Sequence, residues 1–267
     1  MNPFEILEPT CISFSGGRTS AYMLYRVLRA HQMSLPKEAV VCFANTGKED
    51  EATLKFVNDC SVNWNVPIIW LEYKEAAEVK NRWKQVTYET ASRNGEPFEQ
   101  MIQSKKFLPN SVMRFCTTEL KIVPIKHYME SIGYEEFDTF AGIRADEPKR
   151  VSKLRKTLYA PLSVDGIAQE QVQSFWKTQS FDLGLEFRNK VTALGNCDLC
   201  FMKGGSQIMS IIQHQPHRAT WWAKQEELIN GRFCKDRPSY ASLMQFTKNQ
   251  TDMFDPNEET IACFCGD

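Results

Sequence analysis

The chain has no run long and apolar enough to cross a membrane as a helix, which argues against an integral helical membrane protein. It has almost no net charge, with 32 basic against 33 acidic residues and a formal value of −1. A global electrostatic footprint for nucleic acid is therefore missing, and such binding would need a local basic groove. Residues 1–9 carry acidic side chains and lack the pattern of a signal peptide, so a cytoplasmic protein is the expectation. There is no Walker A spacing, which requires four residues between its glycines and then Gly-Lys-Ser/Thr. What is present is 267 residues, 42% hydrophobic, enough for a large packed core. Nine cysteines are many for a reducing compartment, where disulfides are unfavoured and clustered cysteines point to metal or redox chemistry.

The chain is organised around Ser15-Gly16-Gly17-Arg18-Thr19-Ser20. Residues 11–14 before it form a short apolar run that reads as a buried strand. Ala21, Leu24, Tyr25 and Leu28 after it fall on one helical face. Strand, glycine turn and helix start in that order make an anion site. The first turn of a helix leaves N–H groups unpaired and carries partial positive charge, and glycines let backbone approach an oxyanion closely. Ser15, Thr19 and Ser20 add hydroxyls, and Arg18 adds a charge. The plain alternative is an ordinary strand–helix turn that uses glycine.

Further along, residues 39–44 are a continuous apolar run, as expected of a strand buried on both faces. They end in Asn45-Thr46-Gly47. Residues 51–64 read as a helix and 67–72 as a third strand. Residues 74–113 are polar, with Trp83, Tyr88 and Phe98 spread through them, and read either as a mobile excursion over the site or as a helical insert. Thr117 or Thr118 is a candidate N-cap for a helix to about residue 132, which would place Cys116 just before a helix start, where a thiolate is stabilised. Arg114 and Lys121 add positive charge nearby. Residues 138–143 form a fourth strand, ending near Arg144, Glu147 and Arg150. Strands alternating with helices predict an α/β fold with a doubly wound, mainly parallel sheet, whose ligands lie beyond the strands' carboxyl ends. Arginines there suit an anion, because a guanidinium pairs two oxygens at once.

These segments resemble the PP-loop family, the adenine nucleotide alpha hydrolases, and within it the phosphoadenosine phosphosulfate (PAPS) reductases. The first motif is similar to Ser-Gly-Gly-x-Asp-Ser, with Thr19 where the pattern has Asp. Arg114-Phe115-Cys116-Thr117 through Leu120-Lys121 to Pro124 is similar to Arg-x-Cys-Thr-x-x-Leu-Lys-x-x-Pro. Gly142, Arg144, Glu147 and Arg150 are in register with Gly-x-Arg-x-x-Glu-x-x-Arg. The likeness covers about residues 10–180. It implies a Rossmann-like nucleotide domain over 1–180, followed by a cysteine-rich, mainly helical region over 181–267. It implies ATP or PAPS held by Ser15, Gly16, Gly17, Arg18, Thr19 and Ser20, with Asn45, Thr46, Gly47, Gly142, Arg144 and Arg150 contributing. Arg18, Lys121 and Arg144 are the implied catalytic cations, and magnesium is an implied companion of the nucleotide. Thr19 leaves a metal or proton role for the usual Asp in doubt.

Cys197-Asp198-Leu199-Cys200 is a knuckle able to give two sulfurs to one metal, and only half a site by itself. Cys116, Cys263 and Cys265 offer further thiolates, and Cys11, Cys42 and Cys60 lie in apolar runs as core residues. Three readings stand: a [4Fe–4S] cluster near the nucleotide, a structural zinc site, or free cysteines. The functional expectation is an enzyme that hydrolyses or adenylates at the ATP α-phosphate in sulfur chemistry. Its partners would be an adenine nucleotide and an acceptor that is a small molecule or a nucleic acid, with no membrane and with self-association left open. Two alternatives remain: thiol-dependent reduction of PAPS to sulfite, and a nucleotide-binding module without catalysis. Reduction in this family uses a tail Glu-Cys-Gly-Ile/Leu-His motif. Here the tail reads Cys263-Phe264-Cys265-Gly266-Asp267, with neither that Glu nor that His.

Overall fold

The computed structural model describes residues 2–154, 157–188 and 191–249. Cys263 and Cys265 lie outside the described residues. A six-stranded sheet runs in the order β4-β3-β2-β1-β5-β6. Its strands are β1 (Thr10–Phe14), β2 (Ala39–Asn45), β3 (Ile68–Glu72), β4 (Lys84–Val86), β5 (Asp138–Ala141) and β6 (Leu158–Tyr159). All neighbours are parallel except β4, which is antiparallel at the edge.

The alternation of side chains along each strand divides the apolar residues between two faces. Ile12, Phe14, Val41, Phe43, Ile68 and Trp70 belong to one core. Helices α1 (Arg18–Ala30), α2 (Glu51–Trp64) and α5 (Gln169–Trp176) pack there through Leu24, Val57 and Trp176. Cys11, Cys42 and Leu71 point to the other face and meet Met129 of α4 (Val123–Ser131). Both faces are thus covered, as in a doubly wound sheet. This is why β1, β2 and β3 are nearly continuous apolar runs, and why Cys11, Cys42 and Cys60 are fully buried.

β1 lies between β2 and β5, so the chain winds away from β1 in both directions. Its carboxyl end is the switch point where open α/β sheets bind ligands. A second core joins α3 (Glu96–Lys105) to α6 (Gly205–His214), α7 (His217–Ile229) and α8 (Tyr240–Asn249) through Phe98, Ile208, Trp222 and Leu243. A short hairpin, β7 (Phe187–Arg188) with β8 (Val191–Thr192), precedes the cysteine knuckle.

Of the two readings of residues 74–113, the helical insert is the nearer: they hold the edge strand β4 and helix α3, whose polar residues hide a short apolar face. The structure differs from the sequence expectation after that. The helical run to Ser131 starts at Phe115 with Arg114 as its N-cap, and Thr117 and Thr118 have helical dihedrals. Neither threonine is a cap, and Cys116 sits within the first turn. The stretch Thr118–Ile122 is π-wound, immediately before Pro124. Proline lacks an N–H and crowds the carbonyl four residues back, and a π turn relieves both.

Candidate functional site

The loop after β1 is tied by one hydroxyl. The Ser15 N–H and Ser15 hydroxyl both donate to Ser20 Oγ, at 3.1 and 2.9 Å, and Ser20 Oγ donates to the Gly17 carbonyl at 3.0 Å. Ser20 and Ser15 therefore hold the loop's shape, and Ser20 has no proton left for a ligand. Gly16 adopts φ +82°, where a Cβ would also stand 2.6 Å from Thr53 Cγ2. At Gly142 the issue is approach: a Cβ there would lie 2.9 Å from the Ser20 Cα. These two glycines let the loop fold back onto α2 and let β5 pass against the start of α1. Gly17 caps α1 in an extended conformation with no side-chain cap bond, so its position leaves the first N–H groups of the helix without an N-cap side chain.

Three arginines surround this helix start. Arg18 pairs with Asp182, through a 2.7 Å bond from Nε to Oδ1 and a close Nη2–Oδ2 contact, and Nη2 also donates to the Leu185 carbonyl at 3.2 Å. Burial pushes the Asp182 carboxyl up, but its bonds to Arg18 and to the Leu183 and Gly184 N–H groups outweigh this and hold it below its usual value. Arg144 Nη1 donates to Thr19 Oγ1 at 3.1 Å, and its Nε to Asp146 at 2.9 Å. Thr19 thus positions an arginine. Arg150 Nη1 donates to Glu147 Oε1 at 2.6 Å, while Glu147 Oε2 accepts the Arg144 backbone N–H at 2.9 Å. One carboxylate fixes both arginines.

Ser15, Gly16, Gly17, Arg18, Thr19, Arg144 and Arg150 line one cavity of about 510 Å³. That size lies within the roughly 300–1,000 Å³ of small-molecule sites. Its walls carry five cationic side chains, Arg18, Arg144, Arg150, Lys177 and Lys203, against two acidic ones, Glu147 and Asp182. Of the residues that line it, Arg18, Thr53 and Arg150 each hold a buried polar atom, Nη1, Oγ1 and Nε, with no hydrogen-bond partner among the described residues. Leaving a buried polar group unpaired costs about 1–3 kcal/mol, so orphans are rare and need a reason.

Other expected residues lie elsewhere. Asn45 is fully buried, and its amide donates to Glu72 at 2.7 Å and the Ser92 carbonyl at 2.9 Å while accepting the Gly47 N–H at 3.1 Å. Thr46 gives its N–H and hydroxyl to Glu49 at 2.9 Å each. Asn45, Thr46 and Gly47 are therefore occupied in bracing their own turn and line neither this cavity nor its neighbour. Lys121, with Arg114, lines a second cavity of about 1140 Å³ that shares Ser15 and Arg150 with the first.

The knuckle stands against the loop after β2. The Asp198 N–H donates to the Lys48 carbonyl at 2.8 Å, Glu49 bridges Cys197, and the Asp198 carboxylate meets Lys48 Nζ at 3.2 Å. The Cys200 N–H donates to the Cys197 carbonyl at 3.2 Å, so both cysteines share one turn. Cys200 lines the first cavity; Cys197 Sγ lies 3.4 Å from Thr46 Oγ1. No group of three or more His, Cys, Asp or Glu side chains is placed to hold a metal among the described residues. Cys116, Cys197 and Cys200 all lie in or pack against the second core, and they do not by themselves make such a group.

Thr53, Trp176, Asp182, Lys203 and Gln207 line the first cavity and were not legible as site residues. Lys203 is buried and donates to the Gly195 carbonyl at 2.5 Å. A signal existed for it: Lys203-Gly204-Gly205 precedes α6, whose N-cap Gly204 has no side-chain bond either. Thr53 and Asp182 had none, because one enters from a helix start and the other from a loop remote in sequence.

No family model matches the chain. It is 32% identical over 203 residues to the uncharacterized nin region protein ORF290 of Escherichia phage lambda, covering 74% of this chain and 67% of that protein. It is 30% identical over 156 residues to the uncharacterized protein MJ0066 of Methanocaldococcus jannaschii, covering 58% of this chain but 27% of that one.

Proposed function

The chain belongs to the family of the uncharacterized nin region protein ORF290 of Escherichia phage lambda, and from its site we propose that it is an adenine-nucleotide-binding enzyme of the PP-loop, PAPS reductase-like type. It acts at the α-phosphate of ATP to adenylate an acceptor for sulfur chemistry. The observation that carries the reading is the gathering of Arg18, Arg144 and Arg150 with the uncapped start of α1 round one cavity at the switch point. Three guanidiniums round one pocket suit a ligand with several oxygens, and the uncapped start of α1 favours an anionic one.

In this reading the loop from Ser15 to Ser20 cradles the phosphates. An acceptor oxygen attacks the α-phosphorus and forms a new P–O bond, and pyrophosphate departs with the electron pair of the α–β bridge. Charge grows on phosphoryl oxygens, so fixed N–H groups and guanidiniums stabilise it most. Trp176, held by a 2.9 Å bond from Nε1 to the Arg18 carbonyl, offers a flat apolar wall for a base. Magnesium would neutralise part of the pyrophosphate charge; the carboxylates lining the cavity, Glu147 and Asp182, are already paired with arginines. Cys197 and Cys200 fit two of the four thiolates of an iron–sulfur or zinc site, and the rest of such a site would come from Cys263, Cys265 or Cys116. A cluster would supply redox or sulfur-transfer chemistry there, and zinc a clamp.

Reduction of PAPS has one observation in its favour, the Cys200 thiol in the cavity wall. Titration calorimetry with ATP and with PAPS, followed by assays for AMP plus pyrophosphate and for sulfite, separates the readings. Tight ATP binding with AMP formed on adding an acceptor is expected. Sulfite from PAPS would shift the assignment to reduction. Binding without turnover would leave a regulatory module, and no binding of either nucleotide would end the proposal.

A further inference from the structure

Lys203 stands apart from the arginines of the first cavity. It lies in the wall built by the knuckle and the start of α6, with Gly195, Cys200, Met202 and Gln207. The arginines are tied to Asp182, Leu185, Thr19, Asp146 and Glu147, and Lys203 shares none of these partners. Its position is set locally. The Lys203 N–H donates to the Cys200 carbonyl at 2.9 Å, so the lysine and the thiol belong to one turn. Its Nζ donates to the Gly195 carbonyl at 2.5 Å, across the knuckle.

Lys203 is only 8% exposed. No carboxylate pairs with it among the described residues. The two carboxylates of the cavity, Glu147 and Asp182, are paired with Arg150 and Arg18, and Asp198 of the knuckle faces Lys48. A lysine is almost never buried this deeply without a counter-charge, because an unpaired ammonium is costly to take out of water. The bond to Gly195 does not account for it. A carbonyl is neutral, and an amide or hydroxyl could make the same bond without burying a charge. An ammonium has three N–H donors, and that bond uses one. The surroundings reinforce the sign. Arg237 Nη2 donates to the Lys203 carbonyl at 2.9 Å, and Arg237 has no ion pair among the described residues either. Lys203 also directly precedes Gly204, the N-cap of α6, which makes no side-chain cap bond, and a helix start carries partial positive charge.

We propose that Lys203 anchors the acceptor, and that the acceptor is a small molecule carrying a compact oxyanion, a phosphate, sulfonate or carboxylate group. A point-like ammonium suits one such group, whereas guanidiniums suit the spread oxygens of a polyphosphate. The group supplies the counter-charge that Lys203 lacks and seats the acceptor beside Cys200, in the cavity that takes the nucleotide. Neutral and cationic acceptors leave the buried charge unmet. That the bound molecule is an acceptor rests on the nucleotide reading; the anion subsite does not, and the two are measured separately.

The test is calorimetry on the full chain with α,β-methylene-ATP, which cannot lose pyrophosphate, and with inorganic phosphate, methanesulfonate and acetate as probes. At least one probe is expected to bind the chain already saturated with the nucleotide analogue, and to change the analogue's affinity by less than threefold. The tightest probe identifies the acceptor's anionic group. Lys203→Met should weaken that probe at least tenfold and the analogue less than threefold. Probe binding that depends on Lys203, with no binding of the analogue, would keep the subsite and sink the nucleotide reading. The subsite is overturned if no probe binds, if probes only compete with the analogue, or if Lys203→Met leaves probe binding unchanged. It is also overturned if Lys203→Met weakens the analogue tenfold, which would make Lys203 part of the nucleotide cradle. A Lys203→Met chain that does not fold counts against it too, since the ammonium would then be a brace of the knuckle.

Discussion

Arg18 and Arg150 each combine an ion pair with an orphaned nitrogen, and that division of labour sets what their replacement does. Arg18 is half-buried and pairs with Asp182, which is 37% exposed, so water takes over the carboxylate when the arginine is lost. Arg18→Ala is expected to fold normally and to lose about 10- to 100-fold in ATP affinity, the equivalent of one charge-assisted pair. Calorimetry on the variant checks it, and Arg18→Lys should rescue only part, since an ammonium cannot fork. Thr53→Val is a sharper test. Val keeps the shape against Gly16 and removes a buried hydroxyl with no partner. The unliganded protein should gain up to about 1 kcal/mol in urea unfolding, while ATP affinity falls; a loss of stability would show that the hydroxyl is satisfied in the free protein. Asp182 also has a pH signature. Its folded pKa is held below the usual 3.8, so the pair contributes stability above that pH, and the contribution is lost as pH falls through the folded value. Asp182→Asn should flatten this part of the acid-unfolding curve.

Helix α1 depends on two backbone contacts that no side chain supplies. Gly16→Ala places a Cβ at φ +82° and into Thr53, and Gly142→Ala drives one at the backbone of Ser20. The first can be partly absorbed by a side chain and the second only by moving α1 away from β5. Gly142→Ala should therefore cost about 1–3 kcal/mol in thermal or urea unfolding and weaken ATP binding as well, because the helix start moves with the strand. A variant with unchanged affinity would separate the cradle from that contact. The π turn at Thr118–Ile122 belongs to this scale too. The sequence showed Pro124 and two threonines, and the threonines suggested a cap, whereas the proline's effect on the turn before it decided the geometry.

Across the whole molecule, the cysteine knuckle is joined to the sheet by buried charge. Asp198 accepts the Trp222 Nε1 proton at 2.9 Å and faces Lys48 at 3.2 Å, and Arg218 links this network to Asp50, the N-cap of α2, at 2.5 Å. Removing one partner leaves buried charge uncompensated. Asp198→Ala should cost about 3–5 kcal/mol, while joint replacement of Lys48 and Asp198 by apolar residues should cost much less. If unfolding shows the single and double variants equally stable, the pair does not couple the knuckle to the loop after β2.

The sequence by itself determined the local order of the molecule. Continuous apolar runs specified central parallel strands, because strands covered on both faces have no polar side. The helical periodicity after Gly17 placed α1 and its anion-binding start, because an uncapped first turn is a property of a few adjacent residues. Tertiary structure decided everything that depends on remote pairs. It turned Ser20 into a brace and Thr19 into a seat for Arg144, and it brought Asp182 to Arg18 and Thr53 to Gly16. It set Asn45 and Thr46 to bracing a turn. Those outcomes rest on hydrogen bonds and contacts between segments far apart in the chain, and one-dimensional spacing carries no record of which partner a side chain will meet.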